Sequence, residues 1–191
     1  GNPLEGAGMN YHTLGWIIIV MGVLSMFVGV TMALVQNDVK RLMAYHAVSQ
    51  TGYMLLGVGV GIAVHAQADG GSAFKLFGRV AMMGGIFHMM NHAFYKGLLF
   101  LTSGVMARRF GTRDLNRMVG LAHRDTFTTV AFVIGALAIA GIPPLNGFSS
   151  KILLYESVYQ FSPLLSIIAI FVSVLTLASF MKVFYSAFMG P

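Results

Sequence analysis

The chain has 191 residues, of which 57% are hydrophobic and only 9% charged. A soluble domain carries about a quarter charged residues, and disorder needs a chain poor in apolar residues, so the composition excludes both and points to a polytopic membrane protein. Cysteine is absent, which removes disulfides, thiolate nucleophiles, zinc–thiolate sites and any iron–sulfur cluster held by this chain. The net charge of +6 is a question of which loops hold the cations. Residues 1–13 begin with Gly1 and show neither a basic n-region nor a cleavage pattern, so they are not a signal peptide. They read as an external segment of a chain that is a piece of something longer.

Five apolar stretches follow in order: residues 16–36, 42–64, 80–107, 127–159 and 163–181. Each exceeds the roughly 17 residues a membrane helix needs, which predicts an all-α fold of about five transmembrane helices forming one domain over 14–189. The third stretch holds one charge, Lys96, together with His88 and His92. The fourth, 33 residues long, is too long for a straight helix across roughly 30 Å at about 1.5 Å per residue. It is interrupted at Gly141-Ile142-Pro143-Pro144, where proline removes an N–H and clashes with the preceding turn.

The loops fall alternately on two sides. One side, residues 37–41 and 108–124, carries Lys40, Arg41, Arg108, Arg109, Arg113, Arg117 and Arg124. The other, with the loop 65–79, carries only Lys75 and Arg79. Under the positive-inside rule the Arg-rich loop 108–124 is cytoplasmic and the N-terminus faces out. Most of the positive charge is thus an orientation signal, and no nucleic-acid motif accompanies it.

A charge at mid-membrane costs about 2.5–3.5 kcal/mol on insertion scales, so it needs a partner or a purpose. His88, His92 and Lys96 recur every fourth residue, successive members about 6 Å apart along the axis and drifting about 40° per step. Each gap is too long for a direct hydrogen bond and short enough for one water. Histidine titrates near neutrality, so the row suits proton transfer. Zinc would need a third or fourth ligand, and the interior offers neither cysteine nor aspartate. Haem would need histidines on two helices, for which His46 with His88 or His92 are the candidates. Beyond the break at Gly141, Pro143 and Pro144 come Asn146, Gly147, Ser149, Ser150 and Lys151. Unwound backbone at membrane depth occurs only inside protein or beside water, and broken helices of this kind mark ion sites in transporters. Glu156 lies about a turn and a half beyond Lys151, placed either to pair with it or to sit at the interface. Asp38 is a candidate N-cap beside the basic pair Lys40-Arg41.

Three segments together carry a resemblance. Residues 38–53, from Asp38-Val39-Lys40-Arg41 through Ala44-Tyr45-His46 to Ser49-Gln50-Thr51-Gly52-Tyr53, resemble a block of the antiporter-like membrane subunits of respiratory complex I and its relatives. The row His88, His92-Ala93-Phe94-Tyr95-Lys96 is similar to a second helix of that family. Gly141-Ile142-Pro143-Pro144-Leu145-Asn146-Gly147-Phe148-Ser149-Ser150-Lys151 is similar to its broken helix. In that family two inverted five-helix repeats each form half of an ion path, and this chain resembles the second repeat only, the half opening outward. The resemblance implies that His88, His92 and Lys96 form the hydrophilic axis, that Lys151 ends it beside Ser149 and Ser150, and that Asp38, Lys40, His46, Tyr53 and Glu156 support it. Lys151 stands where some branches have glutamate. His46, where many members have serine, looks more like the membrane-bound hydrogenase and formate hydrogenlyase branch.

The expectation is therefore a non-catalytic subunit that moves protons or sodium in a redox-driven complex of an energy-transducing membrane. It would hold no cofactor or metal itself. Iron–sulfur clusters and a nickel–iron site would sit in partner subunits of a peripheral arm. The alternatives are a subunit of a stand-alone multi-subunit Na⁺/H⁺ antiporter and a haem-bearing membrane anchor.

Overall fold

The computed structural model describes residues 10–67 and 71–189, and the regular structure among them is helical. Helices α1 (Tyr11–Val35), α2 (Val39–His65), α3 (Ser72–Phe110), the single turn α4 (Leu121–Arg124), α5 (Thr126–Ala140), α6 (Asn146–Phe161) and α7 (Pro163–Phe188) follow in order. Helices α1, α2 and α7 are long and apolar enough to cross a membrane. The outer faces of α1 and α7 expose Val20, Leu24 and Val28, and Ile167, Phe171 and Val174, an apolar surface suited to lipid.

Polar side chains set the helix starts. Asn10 Oδ1 accepts from the Thr13 N–H at 2.7 Å, so α1 takes in the last three residues of the segment 1–13. The rest of that segment, apart from Asn10 itself, lies outside the described residues. Asp38 caps α2 as its position suggests, accepting from the N–H groups of Lys40 and Arg41 at 2.8 and 3.0 Å. Asp125 caps α5 through the Thr128 N–H and hydroxyl, with Arg109 3.1 Å away. These donors, the Thr128 amide foremost, hold its carboxyl below the usual carboxylate range.

Helix α3 departs from the hydropathy reading. It starts at Ser72 and not near residue 80, so Lys75 and Arg79 lie in a helix and not in a loop. Hydropathy trims a span at its first charges. Residues 72–79 contain no proline, however, and the helix continues past those charges on backbone hydrogen bonds alone. At its other end it takes in Arg108 and Arg109 and stops at Gly111, whose φ of 63° suits glycine.

The basic segments gather at one end of the bundle. The Val39 N–H donates to Arg113 O at 3.0 Å and the Leu115 N–H to Asn37 O at 2.8 Å. From α7, Lys182 Nζ donates to Leu34 O and Gln36 O at 2.7 and 2.6 Å, satisfying carbonyls at the end of α1. Trp16, Phe74 and Phe161 meet at the opposite end. Along α1, Gly15, Gly22 and Gly29 lie against the backbone of Ala63, Leu56 and Ser49 on α2, small residues that let membrane helices approach closely.

The fourth stretch is two half-helices. Gly141, with φ of 80°, ends α5. Its N–H bonds Ala138 O, and the Ile142 N–H bonds Leu137 O at 3.0 Å, the paired termination that a left-handed glycine permits. Helix α6 restarts at Asn146 beside α5. A Cβ on Gly147 would stand 1.8 Å from Ala138 O, and that backbone oxygen cannot swing aside as a side chain can. Gly147→Ala is therefore expected to cost about 3 kcal/mol, the upper part of the usual overpacking range. Gly97→Ala, where no atom lies within 4 Å, is the control. Thermal unfolding of the detergent-purified assembly compares them, and equal midpoints would show that α5 and α6 do not pack this closely.

Candidate functional site

Helices α2, α3, α6 and α7 turn polar residues inward. On α2 these are His46, Gln50 and Tyr53, all 0% exposed, spaced four and three apart and so on one face. Facing them, α7 presents Ser173, Thr176 and Ser179 three apart, all buried. Helix α3 contributes His88, Asn91, Tyr95 and Lys96, and α6 contributes Ser150 and Lys151.

His88 sits at the crossing of three helices. Its Nδ1 is 3.0 Å from Ser150 Oγ, and its Nε2 is 3.2 Å from Gln50 Oε1 and 3.4 Å from the Tyr95 hydroxyl. As a neutral ring protonated at Nε2, it donates to Gln50 and accepts from the Ser150 hydroxyl. As imidazolium it donates at both nitrogens, and the Ser150 hydroxyl turns to Gly147 O at 3.2 Å. Both protonation states keep their partners because a hydroxyl both gives and accepts. Protonating this histidine therefore orphans no group in its shell.

The two lysines are buried differently. Lys151, 1% exposed, donates to Ile139 O at 2.8 Å and Ser173 Oγ at 2.6 Å, with its Nζ 4.7 Å from the centre of the Tyr53 ring. The break supplies the first acceptor. The glycine termination pairs Leu137 O and Ala138 O and leaves Ile139 O to the lysine. Ser173 is a junction, with the Tyr155 hydroxyl 2.7 Å and the Tyr53 hydroxyl 3.3 Å from the same Oγ. Lys96, 5% exposed, donates to Met43 O on α2 and lies 5.2 Å from the Phe100 ring. The ion pairs among the described residues are Arg109–Asp125 and Arg117–Asp114, so neither buried lysine has a carboxylate partner among them.

Three buried atoms among the described residues have no hydrogen-bond partner: His46 Nδ1, Gln50 Nε2 and His92 Nε2. His46 and Gln50 are one turn apart on α2, at levels between Met43, which receives Lys96, and His88. Buried polar groups of this kind are satisfied by ordered water.

The expected residues divide accordingly. His88 and Ser150 share one buried hydrogen-bonded cluster with Gln50 and Tyr95, and Lys151 and Tyr53 share another with Ser173 and Tyr155. Lys96 is buried on Met43 O, and His46 is buried against Ser179 Oγ at 2.9 Å with a 4.6 Å stack on Phe180. His92 is half-buried against the edge of Tyr95. Ser149 is exposed on the outer side of α6, and Glu156 is exposed and not paired with Lys151. Asp38 and Lys40 belong to the basic end, and Gly141, Pro143, Pro144 and Gly147 form the break. Gln50, Tyr95, Tyr155, Ser173 and Ser179 partner these groups but were not singled out from sequence. Their signal was the three- and four-residue spacing of polar residues within apolar helices. No three His, Asp or Glu side chains come together as a metal site among the described residues.

Residues 7–176 match the transmembrane family described as NADH:quinone oxidoreductase/Mrp antiporter. The chain is 42% identical over 151 residues to hydrogenase-4 component B of Escherichia coli (strain K12), covering 78% of this chain and 22% of that one. It is 37% identical over 180 residues to a Na⁺/H⁺ antiporter subunit of Alkalihalophilus pseudofirmus, covering 94% and 33%. Among solved structures it superposes on a chain of the Mrp complex from Dietzia sp. DQ12-45-1b with a TM-score of 0.82 and 32% identity, covering 94% of this chain and 31% of that chain. The chain thus spans a third or less of the length of these relatives.

Proposed function

The chain belongs to the NADH:quinone oxidoreductase/Mrp antiporter transmembrane family, and from that premise we propose that it forms the outward half of a proton or sodium path in a redox-driven membrane complex. One observation carries this reading: two buried lysines without carboxylate partners among the described residues, and in the same bundle a buried histidine, His88, whose hydrogen-bond shell serves both of its protonation states. Such a constellation costs stability in a membrane helix and suits proton transfer. His88, His92 and Lys96 take up and pass on the ion's charge, Ser150 and water join them to Lys151, and Lys151 discharges outward. Residues 14–189 act as one unit, with the N-terminus outside and the Arg-rich loop 108–124 in the cytoplasm. The partners are other membrane subunits and a peripheral arm holding the iron–sulfur clusters and a nickel–iron site. The relation to hydrogenase-4 component B favours that arm.

The Na⁺/H⁺ antiporter relatives favour a second reading, in which the same path is driven by an ion gradient. A haem anchor held by His46 and His88 is disfavoured, because His88 already has protein partners at both nitrogens. The intact assembly, purified with its co-assembling subunits and returned to vesicles, decides between the first two. Acidification driven by an electron donor supports the redox complex. Acidification driven only by a sodium gradient supports the antiporter, and no coupled proton or sodium movement under either drive would sink both.

A further inference from the structure

On the end of the bundle opposite the basic loops, a cavity of about 470 Å³ lies between α3, α6 and α7. Its lining includes Leu76, Phe77, Tyr155, Glu156, Gln160 and Ser166. Tyr155 is half-buried, and Glu156 and Gln160 are exposed. Tyr155 follows Lys151 by one turn of α6, and both reach Ser173 Oγ, at 2.7 and 2.6 Å. The second phenol at that junction, Tyr53, is fully buried and donates to Ala169 O at 2.7 Å, so it leads back into protein. Tyr155 alone among these groups touches both the buried junction and the open cavity.

We propose that this cavity is the outer vestibule of the path and that the Tyr155 phenol, through Ser173, is the relay by which Lys151 releases its proton. This rests on the functional reading above. The Lys151 ammonium gives a proton to Ser173 Oγ as the Ser173 hydroxyl proton passes to Tyr155 Oη. The Tyr155 hydroxyl proton passes in turn to a water in the cavity. One N–H bond is broken, one O–H bond to water is formed, and both hydroxyls end neutral. Each hydroxyl both donates and accepts, so the two then rotate back. The Glu156 carboxylate at the cavity wall attracts the released proton and leads it to the outer surface.

The test uses the intact complex in vesicles with the external face accessible. Tyr155→Phe keeps the ring and removes the relay oxygen, and it is expected to slow pumping by about 10²-fold, the scale of a positioned proton-transfer group. Gln160→Cys leaves the relay intact and is expected to pump normally until an impermeant methanethiosulfonate is added outside. Pumping should then fall several-fold and return on reduction, which a purely structural role for Gln160 would not produce. The unmodified parent is treated in parallel. If Tyr155→Phe fails to assemble, the cysteine experiment decides alone. Parent rates in Tyr155→Phe and in modified Gln160→Cys, with Lys151→Ala inactive, would overturn the vestibule and leave the functional reading standing. A Lys151→Ala complex pumping at the parent rate would overturn both.

Discussion

Lys96→Ala is expected to lower ion pumping by about 10²-fold or more, the contribution typical of a positioned proton-transfer group, while the complex still assembles. The argument is one of cost. Lys96 is 5% exposed, makes a single hydrogen bond, to Met43 O, and has no carboxylate partner among the described residues. A lysine kept for stability would be tied by more than one carbonyl, as Lys182 is. Removing Lys96 therefore relieves a buried polar group, and thermal stability should hold or rise. Lys96→Arg should also fail to pump, since arginine does not give up its proton in a protein. Pumping rate and thermal midpoint measured on the same preparation separate the two roles. Normal pumping by an assembled Lys96→Ala complex would reduce Lys96 to a packing residue.

The helical class and the family resemblance were legible because each rests on a local signal. Apolar runs give the spans, and Gly-Ile-Pro-Pro interrupts the fourth. The facing of individual side chains was less legible. Ser149 and Ser150 are neighbours about 100° apart on a helix, and sequence alone does not choose between them. The phase is set by the buried row Gly147, Ser150, Lys151 and Leu154, which takes Ser150 to His88 and leaves Ser149 outside. A strict four-residue step also drifts off a helix face. At that drift His92 lies between His88 and Lys96 on the helix wheel, so neighbours and not phase decide its cover. Gln50 and Ser150 close over His88 and Met43 receives Lys96, whereas His92 meets the edge of Tyr95. Ser173 and Ser179 escaped notice because a serine barely alters the hydropathy of a run such as α7, and their partners, Lys151 and His46, lie far away in sequence.

Lys151→Ala should uncouple pumping, by about 10²-fold on the same scale, whereas Pro144→Ala should slow it only in part. The difference follows from what each residue does at the break. Lys151 bridges the two half-helices, donating to Ile139 O at the end of α5 and to Ser173 on α7, and as an amine it can change charge without displacing a long rigid helix. Pro144 has no N–H, so it keeps one donor out of the segment between Gly141 and Asn146. Alanine there restores the donor and lets the backbone bond across the gap, which on the proposed path would take room from water joining the lysines. On the proposed path, protonating both lysines sets like charges against each other in surroundings of low dielectric, and that repulsion would favour release from the one placed nearer the outside. Under that proposal, loading Lys96 would help to discharge Lys151. The comparison is made in reconstituted vesicles, with rates normalised to assembled complex. If Lys151→Ala pumps at the parent rate while Pro144→Ala is impaired, the break is a structural kink and Lys151 stands off the path.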